Sequence, residues 1–393
     1  MVFHQYLSLM PSDSLACLLR NQGFTKLTDD SLVKTFVLAT LFRWNSLREI
    51  EQGIRSQIEI QNELDIETIS ASQLSRRLQI LNTSDLAHIL TEIAIQYRSL
   101  QSGAKGVNPK VGPLKLVDST HIGLTKHALN WNGFTKDNYG VKLHLGLLVA
   151  SPGSVFPDKM IPSTGNVTDI DAVNHLIDAD GATYVMDRGY GEKTKIGGWL
   201  ERNIPFIVRV KSNFRVDTLE VLSSESKNVS RYEIVSIKTR IDDIKLVEFT
   251  DHEGTFFRII TNRLDLNPEE ILETYKNRWL IELFFKWIKQ HIKLDHLFSL
   301  SPIGIWNQLY ISLITFGLIE LLRLKSQPNK SSWDFYRLMR LYLLNTWENL
   351  EREFNRKPKK RTRGRQVSGL PPNKAMRFGE DYAIVVPKNR NSN

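Results

Sequence analysis

Residues 182–210 read ATYVMDRGYGEKTKIGGWLERNIPFIVRV. A short β-rich run, residues 182–186, ends at Asp187. A helical pattern follows at residues 192–202, and a second β-rich run closes the stretch at residues 205–210. Working outward toward the N-terminus, residues 114–118 and 141–150 are β-rich runs, and residues 169–178 carry a helical pattern. Strands in a hairpin-like group, then strands alternating with helices, predict an α/β domain. Toward the C-terminus, from about 213 to 263, the pattern is strand-like without a convincing helix: residues 232–238, 245–249 and 256–260 are the runs. This is a β-rich insertion. A long helix is expected over residues 267–291, opened by Asn267-Pro268-Glu269-Glu270, with further helices to about residue 352.

Residues 1–100 read as a helical N-terminal domain, with apolar residues at helical spacing in 32–42 and 86–97. Ser70 with Gln73 three residues on predicts a helix start, so SASQLSRRLQIL at residues 70–81 is a helix. With the helical stretch 46–56 before it, two readings stand. It is a helix-turn-helix presenting Gln73, Arg76 and Arg77 to DNA ends, or a plain bundle with two exposed arginines. Residues 101–113 (QSGAKGVNPKVGP) are a linker, 114–325 the α/β domain with its insertion, and 326–393 a helical C-terminal region with a basic tail. No internal repeat is visible.

The 393 residues carry a formal charge of +9, with 41% hydrophobic and 24% charged residues, an ordinary balance for a chain with real cores and a basic one that favours nucleic acid as partner. The charge is uneven: residues 1–100 hold 9 Lys+Arg against 11 Asp+Glu, whereas seven of the ten residues 356–365 (RKPKKRTRGR) are basic. One cysteine, Cys17, excludes a disulfide framework or a cysteine zinc site within the chain and fits a reducing cytoplasm. No signal peptide is expected at the start. The apolar stretch 305–322 contains Asn307, Gln308 and Glu320, so it reads as a buried core helix, with no membrane partner.

Asp118 ends the run Leu114-Lys115-Leu116-Val117, and Asp187 ends Thr183-Tyr184-Val185-Met186. A carboxylate at the C-terminal edge of a buried strand stands on a rigid element, at the crevice where α/β proteins bind ligands. Two such carboxylates repel, and a divalent cation with oxygen ligands relieves the repulsion. Taken singly, each Asp also reads as a cap on the following turn. The stretch Tyr275-Lys276-Asn277-Arg278-Trp279-Leu280-Ile281-Glu282-Leu283-Phe284-Phe285-Lys286-Trp287-Ile288-Lys289 adds a third element. Tyr275, Arg278, Glu282 and Lys289 share one helical stripe, while Ile281, Phe284, Phe285 and Ile288 pack inward. Cations beside a carboxylate suit a face that holds metal while DNA phosphates lie against it; a solvated face with ordinary ion pairs has the same composition.

Tyr-x2-Arg-x3-Glu-x6-Lys at Tyr275, Arg278, Glu282 and Lys289 resembles the signature of the bacterial insertion-sequence transposases grouped as the insertion-sequence-four family. LKLVDST around Asp118 and Asp187-Arg188-Gly189-Tyr190 are similar to that family's first and second Asp elements. The intervals, 68 residues between the aspartates and 94 from Asp187 to Glu282, leave room for the family's β insertion. The resemblance covers roughly residues 110–325. It implies a ribonuclease-H-like catalytic domain and two Mg²⁺ or Mn²⁺ ions held by Asp118, Asp187 and Glu282. It also implies phosphate contacts from Tyr275, Arg278 and Lys289. The partners it implies are double-stranded DNA, as terminal inverted repeats and target, and a second copy of the chain. The expected function is cut-and-paste transposition in the bacterial cytoplasm at the nucleoid. Family members typically cut through a hairpin and stack a flipped base on a Trp of the insertion. Here no Trp lies between Trp199 and Trp279; Phe214, Tyr232, Phe249, Phe256 or Phe257 can offer a π face instead.

Asp169, in Asn166-Val167-Thr168-Asp169, is expected to cap the helix that follows, with contact to the active site as its second reading. His121 and His144 are expected to be structural or near DNA, because hard cations prefer oxygen ligands. Trp279 and Trp287 are expected in the core, and Lys211 in solvent by default, with contact to DNA as its second reading. Two other functions compete: a DNA-binding protein of the same fold without cleavage, and a host nuclease. The intact Asp118, Asp187 and Glu282 set argues against the first, and the Tyr-Arg-Glu-Lys stripe against the second.

Overall fold

The computed structural model describes residues 1–11, 26–101, 106–124, 140–151, 154–237, 240–292, 296–326 and 330–356. Cys17 and residues 357–393 of the basic tail lie outside them.

Nine strands form one mixed sheet in the order β3-β2-β1-β4-β5-β9-β8-β7-β6. The first three, β1 (Leu114–Gly123), β2 (Gly140–Ser151) and β3 (Ser154–Thr164), pair antiparallel. β4 (Thr183–Met186) and β5 (Phe206–Arg209) run parallel to β1. The expected insertion is β6 (Asp217–Val221), β7 (Val229–Ile237), β8 (Arg240–Thr250) and β9 (Phe256–Thr261). It is not a separate layer: β9 pairs antiparallel with β5 and carries the same sheet onward.

The sheet divides the apolar interior in two, because alternate residues of a strand face opposite sides. Leu114, Leu116, Val185 and Ile207 join a large core shared with the N-terminal helices and the helices after the insertion. Val117, Tyr184, Met186, Phe206 and Val208 join a smaller core with Val173, Leu176, Ile196 and Trp199. Those four residues belong to the helices Asp169–Leu176 and Lys193–Glu201, which complete the crossovers from β3 to β4 and from β4 to β5.

Helices α1 (Val2–Leu7), α2 (Asp29–Phe42), α3 (Leu47–Ser56), α4 (Ile58–Leu64), α5 (Ala71–Ile80) and α6 (Thr83–Leu100) precede the sheet; α7 (Asp169–Leu176) and α8 (Lys193–Glu201) cover its smaller core. Ser70 caps α5 by accepting a hydrogen bond from the Gln73 N–H, as its sequence predicts. Arg77, however, is only 4% exposed. Its guanidinium pairs with Asp29 at 2.5 Å and donates to the Leu27 carbonyl at 3.1 Å. A buried guanidinium spent on a carboxylate holds α5 to α2 and cannot reach DNA, so the expected pair of exposed arginines reduces to Arg76.

The long helix expected over 267–291 is interrupted. α9 (Pro268–Lys276) opens with a full capping box between Asn267 and Glu270; α10 (Trp279–Trp287) follows, and its last turn widens into a π-turn at Ile288–Ile292. α11 (Pro302–Ser326) is apolar and long enough to cross a membrane, but 94% of its apolar window is buried by neighbours including α6, α5 and α2, as a core helix requires. Asn307 donates to the Leu78 and Leu81 carbonyls at 2.8 Å, tying α11 to the end of α5. α12 (Ser332–Leu341) and α13 (Trp347–Phe354) complete residues 1–354 as one compact unit.

Candidate active site

β1 and β4 align Val117 with Met186, so Asp118 and Asp187 are the next positions on two adjacent parallel strands. Hydrogen-bonded neighbours lie about 4.8 Å apart, which brings the two backbones together although 68 residues separate them. Alternation places both aspartates on the side of Leu116 and Val185, the side covered by α9 and α10.

From those helices the signature residues reach back to the strand ends. The Tyr275 hydroxyl donates to Asp187 Oδ1 at 3.4 Å. The Arg278 guanidinium lies 3.5 Å from Asp118 Oδ2 and 2.5 Å from Glu282 Oε1. Lys289 Nζ, on the π-turn, donates to the main-chain carbonyl of His121 at 2.8 Å. Tyr275 and Arg278 thus reach the two aspartates, with Arg278 standing between Asp118 and Glu282, while Lys289 meets β1 three residues further on, at His121. Among the described residues no three Asp, Glu, His or Cys side chains come close enough to form a ready-made metal site.

Negative charge is in excess here. Withdrawal from water pushes Asp118 up to about 6; the Ser119 N–H and Arg278 pull it down, while Asp187 and Asp169 push it further up. Burial also raises the Tyr275 hydroxyl, and the nearby Asp187 carboxylate adds to it. Several hard oxygen donors with too little positive charge among them fit a small divalent cation.

Asp169 does not take the capping role. Thr168 is the N-cap of α7 and makes no side-chain cap bond, and Asp169 is instead bound sideways. Its Oδ1 accepts from Ser119 Oγ at 2.6 Å and from Lys142 Nζ at 3.4 Å, and faces His144 Nδ1 at 3.5 Å. His144 is buried and meets Ser163 Oγ at 2.8 Å through Nε2, so it is structural as expected. The capping rule is local, and the winning partners come from β1 and β2, 50 and 27 residues away.

Trp279 is also misplaced by the sequence: it is 57% exposed, whereas Trp287 packs against Phe316 and Tyr336. Trp279 lines a cavity of about 530 Å³ with Phe249, Phe257, Tyr275 and Arg278. Phe249 and Phe257 stack at 4.7 Å, and Arg209 lies 4.4 Å over the Phe257 ring. Of the aromatic residues considered in the insertion, Phe214 sits elsewhere beneath Lys193, and Tyr232 meets Lys245.

A mixed sheet carrying paired carboxylates at its strand ends, closed by a charged helix, defines a class that known proteins identify. The chain belongs to the transposase family whose model, described as the transposase DDE domain, matches residues 109–318. A Geobacillus stearothermophilus protein described as a probable transposase for insertion sequence element IS5377 is 30% identical over 228 residues, spanning 56% of this chain and 59% of that protein. A Synechocystis protein described as a putative transposase for insertion sequence element IS4SA is 26% identical over 328 residues, spanning 80% and 90%. The relatives agree with the insertion-sequence-four resemblance carried by Tyr275, Arg278, Glu282 and Lys289. The match spans little more than half of the first relative. A structure of the piggyBac transposase synaptic complex with hairpin DNA aligns over 91% of this chain and 80% of its own, at a TM-score of 0.46 and 11% identity.

Proposed function

We propose that the chain binds transposon ends and performs metal-dependent strand cleavage and strand transfer with a ribonuclease-H-like catalytic domain. The carrying observation is the adjacency of Asp118 and Asp187 on parallel strands, with Glu282 drawn toward them through Arg278.

Asp118, Asp187 and Glu282 would hold two Mg²⁺ or Mn²⁺ ions. Such ions, when bound, stabilise the attacking and leaving oxygens of an in-line displacement at phosphorus. The protein supplies position and charge. Asp118 and Asp187 stand on strands packed on both faces, so their carboxylates keep their place as charge develops. Arg278 now neutralises Asp118 and Glu282; with cations there, its planar fork is released to a phosphate. Tyr275 and Lys289 would hold phosphates on either side along the same helix face. In strand transfer, the freed 3′-hydroxyl oxygen bonds to a target phosphorus, the bond to the target's own 3′-oxygen breaks, and that oxygen leaves with the proton.

The cavity of Trp279, Phe249 and Phe257 offers ring faces beside Arg278, which supports a stacking role for a displaced base. Arg76 on α5 would contact end DNA. Two ends must be held together, which calls for a dimer on DNA. The activity would belong in the bacterial cytoplasm, at the nucleoid.

The test is cleavage of a labelled oligonucleotide carrying the element's own terminal repeat, in Mg²⁺ or Mn²⁺. Glu282→Gln and Asp187→Asn should lower cleavage by about 10³-fold, the equivalent of about 4 kcal/mol of lost charge stabilisation. DNA affinity, set mainly by Lys and Arg, should stay within about twofold. Wild-type cleavage by a folded Glu282→Gln variant, or binding lost in step with cleavage, would sink the proposal.

A further inference from the structure

Among the described residues, Arg77 pairs with Asp29, Arg231 with Glu233, Arg258 with Glu248 and Arg263 with Asp265. One group of cations does not pair in this way. Arg188, Lys193, Lys211 and Arg215 line a cavity of about 570 Å³ together with Ile170, Asn213 and Phe214. No carboxylate of the described residues forms an ion pair with any of the four. The acid in the lining, Glu192, accepts instead from Thr194 Oγ1 at 2.7 Å. Lys193 lies 5.3 Å over the Phe214 ring, and Lys211, Arg188 and Arg215 are exposed. Four cations against one carboxylate, Glu192, leave the concavity with a net positive charge, and a concavity of that sign attracts an anion.

Its position says which anion. The cavity is built from the segment that leaves β4 after Asp187, the start of α8, and the segment that leaves β5. It thus opens at the strand ends that carry the aspartates. Phe214 and Ile170, which line it, pack with the smaller core, whereas Tyr275 and Ile281 of α9 and α10 belong to the larger one. The Tyr275–Lys289 stripe and this cavity therefore flank the aspartates from opposite faces of the sheet. Joining a cut end to new DNA needs two DNA segments at one site at once, and each needs its own grip on a phosphate backbone. The stripe provides one.

We propose that the cavity of Arg188, Lys193, Lys211 and Arg215 grips the phosphate backbone of the DNA segment that receives the cut end. This rests on the strand-transfer reading above. The grip reads charge and shape, not bases, so any duplex serves.

The experiment uses the full chain, an uncut repeat-end oligonucleotide for cleavage, the same end pre-cut for joining, and a supercoiled plasmid lacking the repeat. The variant is Lys211→Ala with Arg215→Ala, both exposed side chains. Plasmid affinity is measured across salt concentrations, and joining and end cleavage are measured side by side. The slope of log affinity against log salt should fall by about 1.8, at about 0.9 for each phosphate that is no longer neutralised. The ratio of joining to end cleavage should fall by about tenfold, as expected when two phosphates of the receiving backbone go ungripped at moderate salt. An unchanged salt slope would show that the cavity holds no DNA. Equal losses of cleavage and joining would show that it holds the cut end and overturn the assignment to the receiving segment. A wild-type chain that neither cleaves nor joins would defeat the proposed function and the receiving-segment role built on it. The plasmid slope still decides whether the cavity grips a backbone.

Discussion

The two ends of β1 treat charge in opposite ways. Lys115, near its start, is buried with 3% of its side chain exposed, and pairs with Asp158 at 2.6 Å and with Asp180; Arg98 also reaches Asp158. Burial alone would lower the Lys115 ammonium, but Asp158, Tyr184 and Asp180 together push it up to about 12. Asp180 is held below its ordinary range by Lys115 in return, against the effect of burial. That end is a closed circuit. Three residues on, Asp118 faces Asp187 and Asp169 with Arg278 as the cation set against it, and its carboxyl is pushed up. The same strand thus carries one settled charge and one unsettled charge. The settled one holds the fold; the unsettled one is a place for something to bind.

The difference can be broken by removing each charge in turn. Lys115→Met leaves Asp158 and Asp180 beside an apolar chain and should cost about 3 kcal/mol of stability, read from urea midpoints at pH 7. Asp118→Asn should act in the opposite direction. In the unfolded chain an aspartate titrates near about 3.9, and in the fold Asp118 titrates near about 6. Below about pH 3 both states hold the proton and the charge costs nothing. As pH rises toward 6 the unfolded chain ionises first, so stability falls, and above 6 the whole cost remains. With metal chelated, the Asn variant should match wild type at about pH 3 and exceed it by about 3 kcal/mol at pH 7. A variant that is less stable than wild type at pH 7 would mean that Asp118 is as settled as Lys115.

The same contrast governs what was legible in the sequence. Strands β1, β2, β4 and β5 were readable because each is a continuous apolar run bounded by breakers, as a strand buried on both faces must be. β3 was not, because Pro157 and Pro162 interrupt it; as the edge of the sheet it tolerates them. Asp118, Asp187, Glu282 and the cations of the stripe were legible as spacing; the structure sets Asp118 and Asp187 on adjacent strands and links Asp118 to Glu282 through Arg278, without a cluster of three acids among the described residues. The interruption at Asn277 and Arg278 was not, since every residue from Tyr275 to Lys289 is compatible with a helix and the break is only a tightened turn with three-residue hydrogen bonds. Arg77 and Asp169 were misread for one reason. Their partners, Asp29 and Ser119, lie 48 and 50 residues away, and no local rule reports a contact made by folding. The basic cavity was illegible likewise: Arg188, Lys193, Lys211 and Arg215 are scattered over two segments that only the parallel pairing of β4 and β5 brings together.

If the unsettled end of β1 exists to receive divalent cations, Mn²⁺ binding to the full chain is its most direct test. At pH 7.5, without DNA, unfolding midpoints are followed as Mn²⁺ is raised. Wild type should gain about 2.7 kcal/mol when free Mn²⁺ reaches about a hundred times its dissociation constant. Asp118→Asn and Glu282→Gln should gain far less, while Lys115→Met, destabilised as it is, should keep the full gain. Equal gains in wild type and Asp118→Asn would contradict the account, because the cation would then be binding away from the carboxylates at the strand ends.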